Sequence, residues 1–492
     1  IGVSHGVQQI NYIAKEVCNG ADAMTAARRS FTGLLVPGTL ALITAFVGFA
    51  TLVLVPIPMI RELAITASVG VAYKIVTNLV MLPVAASYLR FDDRFVGRMN
   101  HLRERRGRWM GALGRIAEPR NAAVGTAVCA ALFALAWHQS QGRHIGHVQP
   151  GAPELRADSR YNRDAGQIVS RFDLGLDVLS VVVETPKDGC YDHAVMEYLN
   201  QFSWQMANVP GVVSVASAAW LAKQAFSGFN EGNPKWADLP RDPKSLANAI
   251  SLAPEGSGLY NPGCTVLPVH LYLADHKAGT VKAVTDAVKA YRAANADPRI
   301  AVRLASGNAG VQAATNEVLE TTELRMMLYV YLTIVALVLL TYRDWRAMLA
   351  CCLPLTLATL LGYWFMKALD IGLTVATLPV MVLAVGIGVD YAFYIYNRLQ
   401  LHLAQGVNIV VAFKQALMET GIATIFTAIT LSVGVATWSF SDLKFQADMG
   451  MLLTFMFMVN MVMAITLLPA LAVMIDVLLP RRRPVHAPFL VH

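Results

Sequence analysis

The chain has 492 residues, 55% of them hydrophobic and 15% charged, with a formal net charge of +7. A mean hydropathy of +0.47 excludes a soluble globular protein of this length and fits a multi-pass membrane protein. The positive balance does not imply nucleic-acid binding, because in such proteins the excess collects in cytoplasmic loops.

In chain order, Ile1–Ile13 reads as the tail of a membrane helix and Ala14–Thr32 as a polar loop with Lys15, Arg28 and Arg29. Gly33–Pro58 and Leu63–Tyr88 are long enough to span, separated by a short turn at Arg61 and Glu62. Lys74 is the one charge in the second of these spans. The chain starts at Ile1 inside a helical pattern and shows no signal peptide. The N-terminal part of the natural protein is therefore expected to be absent, roughly 270–300 residues for a full tandem repeat. Residues 1–89 form the first region on this reading.

Residues 90–120 hold nine arginines against Asp92, Asp93, Glu104 and Glu118. The positive-inside rule makes this segment a cytoplasmic linker that is solvated and touches lipid headgroups. Residues 121–138 are one more span, and residues 139–323 leave the membrane. Residues 324–478 hold five spans: Met326–Tyr342, Ala347–Met366, Ile371–Tyr396, Thr420–Ser441 and Met449–Ile475. Residues 479–492 are a tail. Counting crossings from the basic linker puts Tyr342–Arg346, the Asn397–Glu419 loop and Arg481–Arg483 in the cytoplasm. The large domain then lies on the opposite side of the inner (plasma) membrane, in the periplasm or cell exterior. Gln405–Leu417 is expected to lie along the membrane as a surface helix.

The large domain is read as α+β. Val178–Glu184 is a strand rich in β-branched residues, Tyr191–Asn208 has helical periodicity, and Val212–Ala216 is a strand. Thr265–Ala274, Gly279–Ala294 and Ile300–Ala305 repeat the strand, helix, strand order. Two βαβ units suggest paired split-βαβ, ferredoxin-like subdomains. Between them Trp220–Gly263 is a long insertion. Its Trp220, Phe226, Phe229 and Trp236 either line a hydrophobic cleft or pack the insertion down.

There are six cysteines. Cys190 and Cys264 are the two in the exported domain, where disulfides persist, and are expected to be bonded across the loop 191–263. Closing a loop of that size stabilises by roughly 4 kcal/mol in the chain-entropy model. The alternative is two buried thiols. Cys18, Cys129, Cys351 and Cys352 are expected to be free.

The most informative stretch is Val382–Asn397, VLAVGIGVDYAFYIYN. Asp390 is the only charge in its long apolar run, and an intramembrane carboxylate is costly unless it faces the bundle interior or an ion path. Gly386, Asp390, Phe393 and Asn397 share one helical face. Gly386 and Gly388 would let a neighbouring helix approach closely. The same pattern opens the chain: Ile1–Asn11 reads IGVSHGVQQIN and Ile387–Asn397 reads IGVDYAFYIYN. The register holds onward, placing Gly20 on Gly406, Thr44 on Thr430, Gly48 on Gly434 and Pro83 on Pro469, which indicates duplication. Gly2 and Asn11 thus correspond to Gly388 and Asn397. Ser4 stands opposite Asp390, His5 opposite Tyr391, and Lys74 opposite Asn460.

No nucleophile elbow, Walker A sequence, dinucleotide fingerprint or Cys/His metal spacing is present, so neither an enzyme nor a cofactor is implied. Asp390 and Tyr391 are not an acid/base pair for bond chemistry. An intramembrane G-x-G-x-D-Y on the fourth helix of a six-helix repeat resembles the RND superfamily in its MMPL-type branch. The large exported domain between the first and second helices of the repeat is similar too. The resemblance covers the end of helix 4 through helix 12. It implies a proton-motive-force-driven exporter of hydrophobic, amphipathic or lipid-like molecules, with Asp390 and Tyr391 in the proton relay. Helix 4 departs from that pattern, carrying Ser4 and His5 in place of Asp-Tyr. Partners on this reading are protons, membrane lipids, a hydrophobic or lipid substrate, and periplasmic or outer-membrane proteins.

Two other readings keep the fold: a transport-inactive sterol-sensing or Patched-like receptor or scaffold, and a SecDF-type aid to protein translocation. Two further expectations concern the relay. His5 is expected in the bundle near helix 10, either carrying protons or packing as a hydrogen-bonded histidine. Lys74 is expected to pair with Asp390, as a mobile or a static ion pair, or else to extend to the headgroups.

Overall fold

The computed structural model describes residues 2–172, 175–253, 256–481 and 485. Side chains at 2–4, 93, 95, 100, 102–108 and 305 lie outside this description. The chain divides into two units: Ile1–Arg143, Thr321–Ile371 and Val375–His492 in one, His144–Glu320 with Gly372–Thr374 in the other.

The first unit begins with helices α1 (Gly2–Cys18), α2 (Ala23–Thr51) and α3 (Pro58–Lys74). A π-helical stretch, Ile75–Met81, joins α3 to α4 (Leu82–Ser87). The arginine-rich linker is itself helical, α5 (Asp93–Leu113), and α6 follows (Pro119–Ser140). The second unit contains α7 (Arg160–Arg171), β1 (Asp177–Glu184), α8 (His193–Ala207), β2 (Val212–Ala216), α9 (Ala218–Phe229) and α10 (Pro243–Ile250). It continues with β3 (Val266–Leu273), α11 (Ala278–Ala294) and β4 (Ala301–Ser306). Then come α12 (Gly307–Tyr342), α13 (Trp345–Ala368), α14 (Thr377–Ala404), α15 (Ile409–Ala416), α16 (Ile422–Ala436) and α17 (Lys444–Leu478). Eight described spans are long and apolar enough to cross a membrane, which makes this a multi-pass membrane protein.

The sequence duplication is a structural one. Displaced by the repeat offset, Cys18 falls on Ala404, Ala23 on Ile409 and Pro58 on Lys444, so helix ends coincide. Gly20 and Gly406 both take left-handed backbone, φ 91° and 79°, closing the preceding helix where a Cβ would be strained. Two residues further, Asp22 accepts from the Thr25 amide and Asn408 from the Val410 amide, capping the next helix.

These caps correct two expectations. Ala14–Thr32 is not a loop, because α1 runs to Cys18 and α2 restarts at Ala23, leaving only a turn. Gln405–Leu417 is not a separate surface helix either. α15 passes through a π-helical turn, Leu417–Gly421, directly into α16. Nothing between Gln415 and Ile422 is strong enough to stop a helix.

In the second unit the two βαβ halves share one four-stranded antiparallel sheet, order β2-β3-β1-β4, instead of forming separate subdomains. This is the ferredoxin-like interleaving. Period-2 alternation turns Leu179, Val181 and Val183 of β1 and Leu267, Val269 and Leu271 of β3 to one face. Val195, Leu199 and Phe202 of α8 and Val281, Val284 and Val288 of α11 cover that face. Cys190 and Cys264 are disulfide-bonded with Cα atoms 5.5 Å apart, while Cys18, Cys129, Cys351 and Cys352 are free. The insertion packs onto the same core through Ala222, Leu239 and Leu246. Trp220, Phe229 and Trp236 stay about half exposed, with Phe226 edge-on to Trp236.

Candidate functional site

Helix α14 is the centre of the first unit. Its most apolar window is 94% buried, against 22% for the span containing α3. It packs against α2, α13 and α17. A helix that is apolar all round sits either in lipid or, as here, surrounded by other helices. Its two glycines admit different neighbours. An added Cβ on Gly386 would touch Ala45 and the Thr44 carbonyl of α2 at 3.7 Å. One on Gly388 would collide with the Asn460 amide of α17. Asn460 Nδ2 donates to the Ala384 carbonyl at 3.2 Å, so the Gly388 gap is filled by a side chain that hydrogen-bonds to the helix it abuts.

Asp390 is fully buried, and neither carboxylate oxygen accepts a hydrogen bond from the described residues. Its ionic neighbour is His5, whose Nε2 lies 3.9 Å from Asp390 Oδ2. His5 is also buried, and its Nδ1 is hydrogen-bonded to the Tyr394 hydroxyl at 2.6 Å. With Nδ1–H donating to the Tyr394 hydroxyl, Nε2 carries the ring's lone pair and turns it toward Asp390. The arrangement joins one residue of the first repeat to two of the second. An intramembrane carboxylate left without hydrogen bonds is a group that must exchange a proton or a partner to carry charge.

Among the described residues, the buried Tyr391 hydroxyl makes no hydrogen bond, and the Asn397 side-chain oxygen is likewise unsatisfied. Asn11 lies further along α1, lining a small cavity with Gln8 and Tyr12. Gly2 and Ser4 fall on α1, but their side chains lie outside the described residues.

Lys74 corrects the sequence reading, because it forms no ion pair with Asp390. The two feel each other's charge, yet the side chain is only half-buried, at the end of α3. The π-helical stretch that begins just after Lys74 packs on both α1 and α2, so Lys74 lies near the His5–Asp390 pair without bonding to it. Tyr394 is the residue that sequence reasoning missed. Its signal was available, since it stands four residues after Asp390 on the same helical face.

Fold and site together define a multi-pass membrane protein built on a duplicated helix set around an intramembrane carboxylate. A family model described as "MMPL family" matches residues 157–487, and the chain belongs to that family. A membrane protein of Methanocaldococcus jannaschii is 23% identical over 311 residues, which is 61% of this chain and 77% of that protein. Among solved structures, SecDF in its super-membrane-facing form superposes on 96% of this chain with a TM-score of 0.53 at 13% identity. The chain spans 52% of the length of that structure, about half.

Proposed function

We propose that this chain belongs to a transporter that exports a hydrophobic, amphipathic or lipid-like substrate by consuming the proton-motive force. One observation carries the reading: Asp390, fully buried and without a hydrogen bond from the described residues, faces His5 across the two repeats. Protonated, Asp390 is neutral and tolerates its apolar surroundings. Deprotonated, it draws a protonated His5 toward it. Two such arrangements at a contact between α1 and α14 give an element whose balance a proton can shift. Membership of the MMPL family supports the reading. The arginine-rich linker marks the cytoplasmic side by the positive-inside rule, which puts the ferredoxin-like domain in the periplasm or cell exterior.

Substrate flux out of cells of a deletion strain, with and without a proton uncoupler, tests this. Wild-type flux should collapse with the gradient, and Asp390→Asn should give the collapsed rate throughout. Flux indifferent to both would favour the receptor reading, which the Ser4 found opposite Asp390 motivates.

A further inference from the structure

We infer that Glu419 is the proton port of this site, exchanging protons between the linker side of the membrane and the buried Asp390–His5 pair. The inference rests on the proton-coupled reading above and adds a residue and a route to it.

Glu419 sits in the π-helical turn between α15 and α16. Such turns recur at functional sites. Lys15 Nζ of α1 lies 3.3 Å from its carboxylate, and Arg398 Nε and His402 Nε2 of α14 each lie 3.6 Å away. The Tyr12 ring stands beside Arg398 and Lys15. The carboxylate is about a quarter exposed, so it can reach water. Its position is on the same side as the linker, since neighbouring α15 carries Lys414, which pairs with Glu118.

The repeat makes the placement specific. The counterpart of Glu419 is Gly33, and that of Asp390 is Ser4. Both acids therefore belong to the second repeat, and each meets a base of the first: His5 for Asp390, Lys15 for Glu419. The two bases stand ten residues apart on α1, about 15 Å along its axis. Between them on the same face lie Gln8, Asn11 and Tyr12. Gln8 is buried and donates to Thr424 Oγ1 at 3.5 Å. A cavity of about 10 Å³, the size of one water, lies between Gln8, Tyr12, Lys15 and Glu419, with Leu34 as its apolar wall. A polar stripe thus runs from the buried pair to Glu419.

The transfer balances without a further reagent. The Asp390 carboxylic acid gives its proton to His5 Nε2. The imidazolium gives it to solvent water held along the stripe, and that water gives it to the Glu419 carboxylate. Glu419 then releases it to the linker-side solution, and each group returns to its starting charge as the next proton arrives.

The test uses the full chain in phosphatidylcholine vesicles and follows the carboxylic-acid infrared band of Asp390 after a pH jump on the linker side. Asp390→Asn should remove the band. Glu419→Gln should slow its appearance about tenfold or more while leaving its final intensity unchanged. Glu419→Asp should restore most of the rate. The charge-balanced double variant Glu419→Gln/Lys15→Gln should stay slow, which guards against a folding defect in the single variant. A band that responds at the wild-type rate in both Gln variants overturns the inference and leaves the proton-coupled reading standing. A wild-type protein with no titrating Asp390 band overturns both.

Discussion

His5 and Asp390 meet at 3.9 Å although 385 positions separate them, because the repeat folds the end of α1 against α14. The contact gives His5 two partners, Asp390 on Nε2 and Tyr394 on Nδ1. His5→Ala is expected to lower gradient-driven flux about tenfold or more, the size of a lost acid–base group. Tyr394→Phe keeps the imidazole but removes the bond that orients it, and should cost about fivefold. Flux measured at equal protein level in the membrane checks both.

Lys74 and Asp390 feel each other's charge but form no ion pair. Lys74→Met should therefore keep at least about half the wild-type flux, within the spread of substitutions outside a hydrogen-bonded network. A loss as complete as that of Asp390→Asn would show that α3 moves inward during the cycle.

Gly388 and Asn460 form a steric pair. Gly388→Ala places a methyl against the Asn460 amide and should destabilise by about 1–3 kcal/mol. Combining it with Asn460→Ala makes room and should recover part of the loss. A thermal double-mutant cycle in detergent reads the coupling, and additive effects would refute the contact.

The Cys190–Cys264 disulfide closes a sequence separation of 74 and ties the insertion to the sheet core. Replacing both cysteines by serine should cost about 2–5 kcal/mol and expose the 191–263 segment to protease before the rest of the domain. Equal cleavage rates for the two proteins would contradict this.

Much of this architecture is legible in the chain itself. The spans, the duplication and all four strands follow from apolar run length and period, because burial in lipid or in a sheet face dictates those patterns. The disulfide followed from having two cysteines in one large extramembrane segment, read as exported. What the sequence hid was neighbourhood. Lys74 and Asp390 are each the only charge in their spans, which makes pairing attractive, but no pattern in either helix states how far apart the two side chains end. The same holds for His5, whose choice of Tyr394 over a lipid-facing position depends on how α1 and α14 are juxtaposed. Glu419 looked like a loop residue because its segment carries polar groups on both sides. The continuous helix through the π turn is what aims it at Lys15.

The central claim is that Asp390 carries the proton that drives transport. The most direct measurement is substrate flux driven by an imposed pH gradient in vesicles, comparing wild type with Asp390→Asn at equal folded protein. The account predicts gradient-dependent flux for the wild type and only the passive leak for Asp390→Asn, with binding of substrate retained. Gradient-driven flux by Asp390→Asn at the wild-type rate would contradict it.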